Sequence, residues 1–380
     1  MYDAIVVGGG IVGMATAYHL VVNGARTLLL DRRDRGRATD AGAGIISPGT
    51  NTRDSDEWFE FASQAGAHYP TLIADVEGPQ PGSTGYARTG LLLVAASEDE
   101  MLPFEEARRR IFERQRSHGH PAHDDIQEVS PAEARRLFPP LTHVEWAIYS
   151  RDAAHVDGRR LTGAMQQAAE ARGLAVRTVG VDRLVLAGDR VTGVVVGHET
   201  VAAPRVVIAG GAWSPAFERQ LGLRLPVEPQ RGQILHLRLP GVETDGWPVV
   251  NAFRGHYLVA WPDGRIVAGA TREFGTGYDP RVTVSGMHEV LREALRVAPG
   301  LSDATFEEFR VGLRPLAADG LPILGPVPGR VGLWLATGHG PTGLTAGPYS
   351  GKVVAEAALG LEPSSDLTPF SVARFSHSDE

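Results

Sequence analysis

The feature that most constrains the fold is a run of short apolar and glycine-rich segments near the start of the chain, YDAIVVGGGIVGMATAYHLVVNGARTLLLD. The pattern predicts a buried strand over Ala4–Val7, a helix that ends at Gly24, and a second strand over Arg26–Leu30. Between the first strand and the helix lies the spacing G-x-G-x-x-G, formed by Gly8, Gly10 and Gly13. Elements in this order predict a doubly wound α/β domain built on a parallel sheet.

The same segment predicts a dinucleotide-binding site. The first glycine permits a tight turn, the second lets the backbone approach a pyrophosphate, and the third lets the helix pack closely on the strand. The N-terminus of the helix, at Ile11 and Val12, would face the phosphates. Asp31, followed by Arg32, would accept hydrogen bonds from a ribose. The loop alone does not distinguish NAD from FAD.

Later segments differ from those expected in the dinucleotide-binding half of an NAD-dependent dehydrogenase. An amphipathic helix over Gly158–Gly173 precedes a meander, VDRLVLAGDRVTGVVVGHETV, with turns at Gly188-Asp189 and Gly197-His198. The chain then returns through an apolar strand into GGAWS, and near its end TGHGPTGLTAGP opens a last helix that runs toward Leu361. This second glycine-rich turn would point backbone amides at another anionic or electron-rich group.

The bulk composition limits the partners and the compartment. The formal net charge of −8 argues against a nucleic-acid partner. No run approaches the roughly 18 apolar residues of a membrane-spanning helix, and no signal peptide precedes the first strand. We therefore expect a cytoplasmic protein, and peripheral contact with the inner face of a membrane stays open. Cysteine is absent and Lys352 is the only lysine, which argues against disulfides, thiolate chemistry and Schiff bases.

We also expect no metal site. The histidines His118, His120 and His123 cluster, but glycine and proline separate them and no acid pair lies nearby in a fixed element.

Several segments together resemble the D-amino-acid oxidase superfamily of FAD-dependent oxidoreductases, particularly the branch of bacterial D-amino-acid dehydrogenases and glycine or sarcosine oxidases. The resemblance runs along nearly the whole chain in the segments VVGGGIVGMATAYHL, AGAGIISPGT, HVDGRRL, VVIAGGAWS, PQRGQILHL, YLVAWPDGRIVAGAT, GLRPLAADGLPILG and TGHGPTGLTAGP. It implies a doubly wound FAD-binding domain and an interleaved α+β substrate domain with a mainly antiparallel sheet. The implied boundaries are 1–80, 142–224 and 311–380 for the FAD-binding domain, and 81–141 and 225–310 for the substrate domain.

The resemblance implies FAD as the cofactor. Because cysteine is absent, we expect a non-covalent complex, with a histidyl bond as the alternative. The residues assigned to cofactor binding are Gly8, Gly10, Ile11, Val12, Gly13, Asp31, Arg32, Gly42, Ala43, Gly44, Ile45, Gly210, Gly211, Trp213, Gly338, His339, Gly340, Pro341, Thr342, Gly343, Leu344 and Thr345.

The implied activity is oxidative deamination of an amino acid. Hydride would pass from Cα to flavin N5, giving an imino acid that hydrolyses to a 2-oxo acid and ammonia. Oxygen or a quinone would then take the electrons. Alternatives are a glycine or sarcosine oxidase, a 2-hydroxy-acid dehydrogenase, an NAD-dependent dehydrogenase, and a flavin-binding protein without turnover.

Arg314, within GLRPLAADGLPILG, is the residue that the resemblance assigns to the substrate carboxylate. Its planar guanidinium suits a bidentate carboxylate pair, and a cation among apolar residues needs an anion. The alternative is a loop staple with Asp319. The resemblance assigns a supporting role to the hydroxyl of Tyr257, for which core packing is the alternative. Arg254 and His256 flank it as candidate pocket residues, with exposure to solvent as the equal alternative for each.

One departure concerns the loop at 339–343. The glycine-oxidase branch carries a further arginine there, whereas this chain has Pro341 and Thr342. The missing second clamp predicts a roomier pocket with no partner for an acidic side chain. It therefore favours neutral D-amino acids as substrates, oxidised faster than their L-enantiomers.

Overall fold

A computed structural model describes residues 1–51, 55–78 and 82–376. The helices of these ranges are α1 Ile11–Val22, α2 Asp56–Glu77, α3 Met101–His118, α4 Pro131–Leu137, α5 Gly158–Glu170, α6 Glu218–Leu221, α7 Val284–Val297 and α8 Gly343–Leu359. The strands are β1 Ala4–Val7, β2 Thr27–Leu30, β3 Ile45–Ile46, β4 Leu91–Ala95, β5 Ile126–Val129, β6 Trp146–Ser150, β7 Ala154–His155, β8 Ala175–Arg177, β9 Arg183–Ala187, β10 Arg190–Val196, β11 Glu199–Ala202, β12 Val206–Ile208, β13 Val227–Arg238, β14 Val249–Ala252, β15 Tyr257–Ala260, β16 Arg265–Gly269, β17 Thr305–Ala317, β18 Ile323–Pro326 and β19 Leu333–Thr337. None of these helices is both long and apolar enough to span a lipid bilayer.

The first sheet has six strands in the order β18-β19-β12-β1-β2-β8, and β1 is parallel to both of its neighbours. Every residue of β1 and β2 is buried because the sheet is covered on both faces. Ala4 and Val6 pack among residues of α1, α2, α5 and α8, while Ile5 and Val7 pack against the β9–β11 meander. This arrangement confirms the doubly wound α/β class.

The predicted elements differ from the observed ones mainly at their ends. The strand Ala4–Val7 is confirmed, and the meander turns fall at the expected positions. The second strand begins one residue late, since the backbone and side chain of Arg26 bind the carboxylate of Asp3 instead. The last helix ends at Leu359 because Gly360 adopts a left-handed conformation.

The second sheet has eight strands in the order β17-β13-β16-β15-β14-β4-β6-β5 and is antiparallel except for the pairing of β4 with β14. One face packs on α7 and the segment around Phe138, and the other packs on α3 and Ala43. The strand β6 lies in this sheet beyond the expected boundary at 141, and β17 crosses the one at 310.

Four buried histidines and the half-buried His68 have strongly lowered pKa values, from which we predict acid sensitivity. Burial lowers the pKa of His19 to about 3 and that of His68, His155, His236 and His339 to about 4. The unfolded chain therefore takes up protons first, so stability is complete above about pH 6.5 and falls as the pH drops toward 4. At pH 5.5 we expect a loss of about 1 kcal/mol for each histidine, measured by urea unfolding.

The histidine variants give this prediction its control. His19→Gln should flatten the pH dependence of the unfolding free energy, and His123→Gln should not, since the His123 side chain is 94% exposed. Equal stability at pH 7.5 and 5.5 in the parent protein would contradict the prediction.

Candidate cofactor and substrate site

A single elongated cavity lies between the carboxyl edge of the six-stranded sheet and strands β13, β15 and β17 of the larger sheet. Its lining runs from the glycine loop at Gly8 to Arg314, so one cavity offers places for a dinucleotide and for a further small molecule. Most of the predicted cofactor residues line it, namely Gly8, Gly10, Ile11, Val12, Asp31, Arg32, Gly42, Ala43, Gly44, Ile45, Gly210, Gly211, Trp213, His339, Gly340, Pro341, Gly343 and Leu344.

The glycine loop forms one end of the cavity, where backbone atoms are closely packed. A Cβ at Gly8 would lie 2.5 Å from the carbonyl oxygen of Ala209, and one at Gly9 would lie 2.7 Å from the Asp31 carboxylate. A Cβ at Gly13 would lie 1.9 Å from the carbonyl oxygen of Gly8. Gly13 itself does not line the cavity, so its place in the motif is to let α1 pack on the loop.

Arg37 and Thr39 belong to the site near Asp31, although the glycine motif does not predict them. Arg37 donates from Nη1 to the Asp31 carboxylate at 2.7 Å and also pairs with Asp40. Thr39 accepts a hydrogen bond from the first amide of α1, at Ile11, at 3.0 Å. Arg37 and Thr39 both line the cavity and lie in the run RGRATDAGAG, which follows Asp31 at the end of β2. This position next to Asp31 could have identified both residues from sequence.

Residues Val179, Gly180 and Val181 are a second group missed from sequence. They follow β8, whose carboxyl end lies at the same edge of the sheet as those of β1 and β2. Ligands of open α/β sheets bind at this edge, so the residues that follow β8 could have been included on that ground.

The second glycine turn lies where β19 passes into α8. His339 lines the cavity and is 1% exposed, and its Nε2 lies 2.9 Å from Ser350 Oγ of α8. The N-terminus of α8 follows within a few residues and places a positive dipole end at the cavity. Three other predicted residues do not line the cavity: Gly338 packs on Ile323, and the hydroxyls of Thr342 and Thr345 donate to carbonyl oxygens of His339 and Ile45.

These features fit FAD. They combine a loop in which a Cβ would collide with backbone, a carboxylate at the end of β2, and a second helix N-terminus farther along the cavity. The middle is lined by Gly42–Ile45 and by Gly210, Gly211 and Trp213, as expected from sequence.

Arg314, on β17, lies at the other end of the cavity. Its Nη1 donates to Gln230 Oε1 at 3.2 Å and to the carbonyl oxygen of Thr271 at 2.9 Å, and both acceptors are neutral. Burial lowers its pKa, and the nearby Tyr257 opposes that shift. No carboxylate of the described residues lies within ion-pair distance of this guanidinium, and its open side faces the cavity. The arrangement leaves a cation in a low-dielectric site without an anion.

Two glycines make room for the polar groups beside Arg314. A Cβ at Gly232, on the neighbouring β13, would lie 2.6 Å from the guanidinium carbon, and one at Gly269 would lie 2.8 Å from the Tyr257 hydroxyl. Burial raises the pKa of Tyr257, and the charges of Arg314 and Arg272 only partly offset the rise. Tyr257 therefore keeps its hydroxyl hydrogen at neutral pH and can donate it to an anion.

The structure excludes the proposed staple between Arg314 and Asp319. The carboxylate of Asp319 instead pairs with Arg374, at 2.7 and 3.1 Å.

Neither Arg254 nor His256 lines the cavity. Arg254 pairs with Asp99 at 2.7 Å on the surface, and His256 binds the carbonyl oxygen of Arg254 and faces Glu289 of α7. Successive strand residues point to opposite faces of a sheet, so His256 points away from the side on which Tyr257 meets the cavity.

Arg272 lines the cavity near Tyr257 and Arg314, although sequence analysis did not identify it. The pocket thus contains a cation besides Arg314, whereas the missing arginine of the 339–343 loop predicted no partner for an acidic side chain. Arg272 lies in GATREFG, just after a stretch that carried the family resemblance, and nothing in its spacing distinguishes it from a surface arginine.

The chain is similar along nearly its whole length to known proteins. Residues 3–357 match the family described as FAD dependent oxidoreductase (DAO). The chain is 39% identical to an uncharacterised oxidoreductase of Bacillus subtilis over 98% of this chain and 99% of the relative. It is 32% identical to a glycine oxidase of Pseudomonas putida, with 97% and 98% of the two chains covered. The crystal structure of iminodiacetate oxidase from Chelativorans sp. BNC1 superposes with a TM-score of 0.91 at 38% identity, covering 97% and 98% of the chains.

Proposed function

Since the chain belongs to the DAO family of FAD-dependent oxidoreductases, we propose that it oxidises the bond between the nitrogen and the α-carbon of an amino acid whose carboxylate is bound by Arg314. The observation that carries the proposal is the guanidinium of Arg314, which faces the cofactor cavity with neutral partners only. A carboxylate is the anion that its planar fork fits best.

When bound, FAD would accept a hydride from carbon. The residues of this chain bind and orient the substrate. Arg314 would hold the carboxylate through charge-assisted hydrogen bonds, and Tyr257, kept protonated by burial, would donate a further one. Fixing the carboxylate fixes the direction in which the α-carbon faces the cofactor, and such positioning supplies much of the rate in reactions of this kind.

The preferred substrates are proposed to be small α-amino acids with a primary or secondary amine. Support comes from the relatives whose names refer to glycine and iminodiacetate, both built on an aminoacetate unit. Faster reaction of D- than of L-enantiomers rests on the sequence resemblance and stays a prediction. Either oxygen or a quinone would reoxidise the cofactor, and reoxidation rates measured with each would decide between them.

The proposal is tested by mixing the purified protein anaerobically with single amino acids and following the flavin absorbance. Bleaching by glycine, sarcosine, iminodiacetate or D-amino acids is the expected result. Bleaching by 2-hydroxy acids alone would overturn it in favour of a hydroxy-acid dehydrogenase. A flavin that no compound of either class reduces would identify a binding protein without turnover.

A further prediction concerns the attachment of the cofactor. The chain has no cysteine, and the ring of His339 in the cavity wall is buried against Ser350. We therefore expect FAD to be bound without a covalent link. Denaturing the yellow protein and passing it through a small-pore filter should release all of the flavin into the filtrate. Flavin retained with the polypeptide would contradict this and indicate a histidyl bond.

A further inference from the structure

The charges along the cavity are distributed unevenly. At the end formed by the glycine loop, the acidic side chains Asp31 and Asp34 are balanced by Arg32 and Arg37. At the opposite end, the charged lining residues of the described chain are Arg272 and Arg314, and no carboxylate lines that end. A neutral amino acid brings one carboxylate and could satisfy only one of these two cations.

Arg272 is not neutralised by its surroundings. Its Nη1 donates to the carbonyl oxygen of Gly255 at 2.5 Å, and within the described ranges it makes no ion pair. The adjacent Glu273 is already engaged, since it accepts from Arg231 at 2.7 Å and from Gln233 at 2.7 Å. The side chain of Arg272 is exposed at the mouth of the cavity, next to the more deeply placed Arg314.

The backbone fixes the position of this guanidinium. Gly255 has φ +78°, and a Cβ there would lie 2.1 Å from Arg272 Nη1. The absence of a side chain at Gly255 is therefore what allows the head of Arg272 to rest on that carbonyl oxygen. The guanidinium is therefore held beside the cavity by a neutral acceptor.

We propose that Arg272 binds a second carboxylate of the substrate, so that the preferred substrates are amines carrying two carboxylates, one held by Arg314 and the other by Arg272. This inference rests on the proposed function and names its substrate class. Arg314 lies deep beside Tyr257 and orients the reacting carbon. Arg272 lies nearer the mouth and selects for the second acid group. The two guanidinium forks each suit a carboxylate, and together they disfavour a substrate that leaves one fork unpaired.

The test compares two substrates that differ mainly by the second carboxylate, iminodiacetate and sarcosine. In the parent holoenzyme we expect kcat/KM for iminodiacetate to exceed that for sarcosine by about tenfold or more, through a lower KM. Arg272→Met should reduce this ratio by about tenfold to a hundredfold, and Arg272→Lys should retain part of it. The matched control is Arg254→Met, an exposed arginine paired with Asp99 outside the cavity, which should leave the ratio unchanged.

Binding of unreactive sulfur analogues separates this inference from the proposed function. Thiodiglycolate carries two carboxylates and methylthioacetate carries one, and each can be titrated against the flavin spectrum. We expect thiodiglycolate to bind more tightly in the parent protein, with the difference lost in Arg272→Met. If thiodiglycolate binds more tightly in this way but no amine reduces the flavin, the proposed function is refuted and the binding site for two carboxylates stands. Equal affinity for the two analogues, or equal losses for both substrates in Arg272→Met, would overturn the role of Arg272.

Discussion

Arg314→Leu is expected to lower kcat/KM for amino-acid oxidation by about a thousandfold or more while the FAD content stays near that of the parent protein. Hydrogen bonds to charged groups contribute about 1.5–3 kcal/mol each, and loss of a bidentate contact also loosens the orientation of the α-carbon. At about 1.4 kcal/mol per tenfold in rate, these losses account for the expected decrease. Leucine preserves much of the volume over Gly232, and the bonds it removes inside the protein go to neutral acceptors.

The measurement is anaerobic flavin reduction at several substrate concentrations, combined with flavin content and an unfolding midpoint. Arg314→Lys should recover a small part of the rate, since lysine restores a point charge without the fork. Arg254→Leu, outside the cavity, is the control and should react like the parent protein. If Arg314→Leu loses its FAD or unfolds while the remaining holoenzyme turns over normally, Arg314 has a structural role instead.

The second large effect is expected at Gly13, where Gly13→Ala should lower the FAD content about tenfold or more. Alanine is the better helix former by about 1 kcal/mol, so a gain in stability would be expected in an open helix. At Gly13, however, the added Cβ would lie 1.9 Å from the carbonyl oxygen of Gly8 and 3.1 Å from the Ala209 side chain. Helix α1 must move off the loop, at a cost of about 1–3 kcal/mol for such overpacking, and the loop that cradles the cofactor moves with it.

Gly163→Ala provides the matched control, because it makes the same chemical change inside α5. A Cβ at Gly163 meets no atom within 4 Å. This variant should keep its FAD and unfold at a slightly higher urea concentration than the parent protein. If the two variants bind FAD equally well, the close contact between α1 and the loop does not govern cofactor binding.

The parts of the site that could be predicted from the sequence are those whose residues lie close together along the chain. The glycine loop, Asp31 and the turn before α8 each lie within a single strand-to-helix unit, so spacing alone brings their groups together. The alternation of side chains along a strand is local as well, and it separates His256 from its neighbour Tyr257.

The remainder depends on contacts between distant segments. Gln230 meets Arg314 because β13 and β17 pair in one particular register, 84 residues apart in the sequence. The sequence suggested an ion pair between Asp319 and Arg314, five positions away, whereas the observed partner of Asp319 is Arg374, 55 positions away. Arg272 looks like any surface arginine until the fold places it beside the cavity.

Strand β17 joins the two sheets in a way that limits how the protein can be divided. It pairs with β13 along its whole length in the eight-stranded sheet, and its Leu313 amide also donates to the carbonyl oxygen of Gly36, at 2.8 Å, in the dinucleotide-binding layer. Arg314 is the next residue. The FAD-binding domain and the substrate domain are thus not interchangeable modules. If the substrate domain of a relative replaced that of this chain, the junction would fall within β17. Recombination that alters specificity while keeping the cofactor should succeed only with crossovers outside β17.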